Sequence, residues 1–162
     1  MLRWVLGIPC ICLGLLSTLD VGEASARSPL PYFAGVEAVG IICRSPEDVR
    51  LRDGLCETAR EILSDQLAIL IDVGTAGLND RRKLHVLISG YLARSPSGEP
   101  VVIVSIDLLR AGHVDPRLYG PAPILLSSPQ PDDTGYWRAV ERALAGPLEQ
   151  LVVRPLVGAA RQ

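Results

Sequence analysis

Beyond Ala26 the chain carries few groups that could do chemistry: the histidines His85 and His113, the cysteines Cys43 and Cys56, and scattered acids. The one arrangement that could be drawn as a hydrolytic group is Ser89, His85 and Asp107. Such catalysis needs a nucleophile and base in hydrogen-bond reach, an orienting acid and an oxyanion site. No G-x-S-x-G elbow is present. These three residues are therefore weak catalytic candidates, and polar residues alternating along a strand ordinarily mark a solvent face. His113 and Asp115 sit in a Gly/Pro-rich segment without a third strong ligand, so no metal site is expected. Asp132-Asp133 reads as helix-capping acid, since calcium would want a fuller set of oxygens. Gly74-Thr-Ala-Gly77 lacks the lysine and context of a phosphate loop. One methionine and two histidines argue against copper handling. No cofactor is expected.

Cys43 and Cys56 are spaced C-x12-C, unlike the C-x-x-C of thiol oxidoreductases. In an oxidising compartment an even pair implies a structural disulfide. Closing so short a loop would stabilise the fold by about 3 kcal/mol in the chain-entropy view.

That compartment follows from the amino terminus. Arg3 precedes an apolar run from Trp4 to Leu19, then polar residues, then Ala24-Ser25-Ala26, the order of a secretory signal. Residues 1–26 are expected to be cleaved. The run is shorter than the roughly 20 residues of a spanning helix, and no later run approaches that length. The mature chain is expected to be soluble, periplasmic or secreted, with no membrane span.

The chain has 162 residues and a formal net charge of −2. What remains after the signal is an ordinary size for one domain. Nucleic-acid binders show a basic patch, whereas Arg81-Arg82-Lys83 is the only basic cluster here and precedes a strand. Aromatics are 4% of residues, too few for a base-stacking platform.

The elements that would position these groups can be read in order. Residues 27–34, with Pro29 and Pro31, read as an irregular arm. Val36 to Cys43 is a buried strand. Ser45 to Leu51 is preferred as a loop or single turn. A helix capped by Asp53 would then run to about Ile71 on Leu55, Ala59, Ile62, Leu63, Leu67 and Leu70. Lys83–Arg94 and Pro100–Arg110 form an antiparallel hairpin around Ser95-Pro-Ser-Gly98. Pairing Leu92 with Val102, Gly90 with Val104, Ile88 with Ile106 and Val86 with Leu108 makes one apolar face, because a one-residue slip would invert it. The other face then carries His85, Leu87, Ser89, Tyr91, Ile103, Ser105, Asp107 and Leu109, with Asp107 diagonal to His85. Residues 111–123 read as a loop, Ile124–Ser128 as a short strand. A last helix of about Tyr136–Val153 follows on Trp137, Val140, Leu144, Leu148 and Leu151, kinked or interrupted at Gly146-Pro147. Residues 155–162 read as a frayed tail.

The sum is an α+β fold: a two-layer α/β sandwich over residues 35–154, with a short, mostly antiparallel sheet, two helices on one face and the order β-α-β-β-(β)-α. That element order resembles small envelope-assembly accessory domains at the level of topology, with no motif behind it, and folds do not fix function. The function expected is a non-enzymatic interaction or envelope-accessory module with a protein partner in the cell envelope. Its interaction face would be Leu87, Tyr91, Ile103 and Leu109, a half-apolar surface that a partner or the amino-terminal arm could cover. The alternative is a small extracytoplasmic hydrolase or ligand-binding protein using the His85/Asp107 face or the 111–123 loop. An inhibitor of a wall-degrading enzyme, acting through that same loop, is a third reading.

Overall fold

A computed structural model of the chain describes residues 30–127 and 134–161. The expected signal segment lies outside these residues. The elements are α1 (Leu30–Phe33), β1 (Ala38–Arg44), α2 (Val49–Gln66), β2 (Leu70–Val73), β3 (Lys83–Arg94), β4 (Pro100–Leu109), β5 (Arg117–Tyr119), β6 (Ile124–Ser127), α3 (Thr134–Leu148), a π-helical turn (Glu149–Val153) and α4 (Arg154–Ala160). The fold is mixed α/β around one six-stranded sheet ordered β2-β1-β3-β4-β5, with β6 also on β4.

The hairpin has the register that the apolar pattern demands. Leu92 faces Val102, Gly90 faces Val104, Ile88 faces Ile106 and Val86 faces Leu108. Leu92 at the hairpin end is exposed, while Val86, Ile88, Val102, Val104, Ile106 and Leu108, with Val39 and Ile41 of β1, share one buried cluster with Leu55, Ala59 and Leu63 of α2 and Val140 and Leu144 of α3. We call this the inner face. Gly90 leaves room there for Leu55, whose Cδ1 would lie 2.7 Å from a Cβ at residue 90.

The sheet is mixed, with two parallel and three antiparallel pairings: β1 pairs in parallel with both β2 and β3, while β4 pairs antiparallel with β3, β5 and β6. β2 occupies residues expected to end the helix. Leu67 and Leu70 fit a helical spacing, but the helix stops at Gln66 and Leu67 is already extended at φ −121°. The β-branched Ile71 and Val73 then pair with Val39 and Ile41. β5 likewise lies inside the expected 111–123 loop, paired with residues 107–109 of β4.

Helix α2 begins earlier than expected. Asp48, not Asp53, caps it, accepting from the backbone amides of Arg50 at 2.8 Å and Leu51 at 3.1 Å. An aspartate at this position satisfies amides that the first helical turn leaves unpaired. The helix then doubles back beside β1, so Cys56, well inside it, meets Cys43 near the strand's end. The two form a disulfide with Cα atoms 5.7 Å apart, an ordinary separation for such a bond.

The carboxy-terminal half differs most. Pro147 lies inside α3 without breaking it, and a π turn follows. Proline lacks the amide that the preceding turn would use, and the wide turn lies just beyond it, with the Arg154 amide donating to the Glu149 carbonyl. The buried stripe is Val140, Leu144, Leu148, Val152 and Leu156. A strict spacing of four drifts about 40° per step around an α-helix. The wide turn takes up part of that drift and buries Val152, leaving Leu151 partly buried. The expected frayed tail is helix α4, started with Pro155 in its first turn and anchored by Leu156. The expected irregular arm holds α1, whose Tyr32 and Phe33 join the core.

Candidate functional site

Two parallel strands on either side of β1 need a connection that returns the length of the sheet. Residues 74–82 make it without a helix, and they cross the outer face. Gly74 and Gly77 turn the chain at φ 129° and 75°. Beneath this crossover lies His85, fully buried, with Nε2 3.1 Å from the carbonyl oxygen of Gly77. Nδ1 is buried and has no hydrogen-bond partner. The ring leans over Gly40, where a Cβ would stand 2.6 Å from Nδ1. Beside it the Lys83 ammonium donates to Asp72 Oδ2 at 2.6 Å and to the Ala76 carbonyl at 2.8 Å.

Asp107 is diagonal to His85, because it faces Leu87 while His85 faces Leu109. Its carboxylate turns the other way. Oδ2 accepts from Arg117 Nη2 at 2.6 Å and Oδ1 from the Gly120 amide at 3.4 Å. The Arg117 guanidinium also lies 5.1 Å from the Tyr119 ring centre, within cation–π range. Ser89 and Ser105 oppose each other, half-buried. The structure therefore does not join serine, imidazole and carboxylate into a relay. His85 is closed to solvent and held by a backbone carbonyl, and Asp107 is committed to an arginine.

The four expected interaction residues separate. Leu87 is buried, Ile103 and Leu109 are half-buried, and Tyr91 is 46% exposed. The crossover leaves the other end of the outer face uncovered. There Tyr91 faces Ile103, which faces Leu125 of β6, in one row across three strands. Leu125 is 69% exposed, and Tyr119 stands exposed beside Asp107. Leu125 and Tyr119 escape a reading of the sequence because the face of a short strand is set by its pairing partner.

His113 packs on Tyr32 with ring centres 4.9 Å apart, and burial lowers its pKa, with Arg110 adding to the effect. No group of three or more potential metal ligands occurs among the described residues. No helix among them is long and apolar enough to cross a membrane. An apolar groove of about 460 Å³ lies between Phe33, Val36, Leu67, Ile69, Leu156 and Val157, so α1 and α4 supply two of its walls.

No known protein family matches this chain, and no curated protein matches it. Among solved structures it is similar to PelC from Paraburkholderia phytofirmans, described there as a dodecamer. A single-substitution variant of PelC is 18% identical, with a TM-score of 0.44 over 76% of this chain and 88% of that one. A second PelC crystal is 16% identical, with a TM-score of 0.43 over 73% and 90%.

Proposed function

We propose that the protein is an exported, non-enzymatic interaction module of the cell envelope, docking a protein partner on the uncovered end of its outer sheet face. The observation that carries this reading is the row Tyr91–Ile103–Leu125, exposed at both ends and half-buried at Ile103. Exposed apolar side chains scattered singly are ordinary, but contiguous ones mark contact sites. Aromatic residues with apolar neighbours and a nearby arginine are also the composition of interface centres. In this reading the molecule is a two-layer sandwich with its helices behind the sheet and its working surface in front. Export and periplasmic or secreted residence rest on the sequence of residues 1–26, and the disulfide agrees with an oxidising compartment.

The hydrolase alternative lacks such an observation, since it needs an accessible base next to a nucleophile. The test is site-specific photocrosslinking in the native cells, with the probe at Tyr91, at Leu125 or at Arg138 on α3. One protein captured from Tyr91 and Leu125 but not from Arg138, and lost with Ile103→Glu, is the expected result. Equal capture from all three sites, or none, overturns it.

A further inference from the structure

A second surface of the molecule is incomplete in its backbone. β2 accompanies β1 only from Ala38 to Ile41, whereas β1 continues to Arg44 against β3. The chain leaves this edge at Gly74, whose amide makes the last bond, to the Ile41 carbonyl at 2.8 Å. Main-chain groups of successive strand residues point to alternate sides. Ile41 points toward β2, Ile42 toward β3, and Cys43 again toward the side that β2 has vacated. No backbone group among the described residues pairs with the Cys43 amide or carbonyl on that side. An unpaired strand edge is a template for another chain.

This edge lines an open cleft of about 600 Å³ together with Val73, Gly74 and Thr75, the Cys43–Cys56 disulfide and Arg52, Asp53, Glu57 and Arg60 of α2. The charged residues of the α2 wall are engaged with one another: Arg52 with Asp53 at 2.8 Å and Arg60 with Glu57 at 2.5 Å. The cleft thus presents a free main-chain donor and acceptor between walls of balanced charge.

We infer that this cleft receives an extended peptide segment of another protein, added as a short strand on the edge of β1 at Cys43. Main-chain bonds supply the attachment in such strand addition, and alternate side chains supply the selectivity. The side chain pointing inward meets the disulfide and Val73, so an uncharged residue fits there. The attachment is independent of the outer-face row.

A library of random dodecapeptides panned against the disulfide-bonded protein supplies the probe. Its tightest peptide is remade with one N-methyl group at each residue in turn. Methylation should weaken binding at least tenfold where the amide faces β1 and leave it nearly unchanged at the residues on either side. The bound peptide should slow hydrogen exchange of the Cys43 amide at least tenfold, and Leu125→Glu should not alter its affinity. A library without binders, affinity indifferent to N-methylation, or unchanged exchange at Cys43 overturns the inference. None of those results touches the reading of the outer face, which the crosslinking at Tyr91 decides separately.

Discussion

The indole of Trp137 on α3 fills a notch that Gly54 leaves in α2: a Cβ at residue 54 would stand 1.9 Å from Cη2 and 2.4 Å from Cζ2. Glycine inside a helix ordinarily costs about 1 kcal/mol relative to alanine. Here the contact reverses that sign. Gly54→Ala should destabilise the protein by about 1–3 kcal/mol, the range for forcing extra volume into a packed site. Urea unfolding measures it, and Gly54→Ala in a Trp137→Ala background should recover the ordinary helix gain. An alanine variant more stable than the parent protein would refute the notch.

Arg110 ties three segments together from inside. Its guanidinium is buried and donates to the carbonyls of Arg81 at 2.8 Å, Ala34 at 2.7 Å and Tyr32. Removing it leaves three carbonyls without their donor, and a buried acceptor left unpaired costs about 1–3 kcal/mol. Arg110→Met should therefore cost about 3 kcal/mol or more, and α1 should be cut earlier by protease than the rest of the fold. A loss no larger than that of an ordinary surface substitution, about 0.5 kcal/mol, would mean that water replaces these bonds.

Alkaline pH should loosen the same corner. Tyr32 donates its hydroxyl to the Pro116 carbonyl at 2.8 Å, and burial pushes its pKa up to about 12. Unfolded tyrosine ionises near 10. The raised value favours the neutral folded form, so its stabilisation is full below pH 10 and is lost as pH rises toward 12. Tyr136 is also raised by burial and contributes a second such limb. Urea midpoints between pH 8 and 11.5 should fall with pH, less steeply in Tyr32→Phe and least in the double phenylalanine variant. Equal slopes in all three would show that neither phenol governs the limb.

What the sequence reveals here depends on how far away the deciding contact lies. The β3–β4 register is legible because alternation over a long hairpin with a tight turn admits one pairing. The Cys43–Cys56 bond is legible from an even pair of cysteines beyond the expected signal segment. The helix start at Asp48 is not, since Asp53 is an equally good cap by type and the choice is made by burying Leu51 against the sheet. β2 and β5 are four and three residues long, and each is a strand only because a distant neighbour pairs with it. α4 carries a proline that reads as a terminator until it is seen in a first turn. The candidate site divides the same way. Parity places Asp107 diagonal to His85, but the covering of His85 by residues 74–82 follows from β2, which local sequence does not disclose.

Lys83 is the only lysine in the chain, and its nitrogen is buried between Asp72 and a backbone carbonyl. To a reagent that seeks side-chain amines, the described surface is blank. Linkers and surface immobilisation by amine coupling would find little on this protein that does not disturb the crossover. Its accessible cations are guanidiniums, so chemistry directed at arginine, at carboxylates or at the exposed phenols of Tyr91 and Tyr119 is the route to its interfaces.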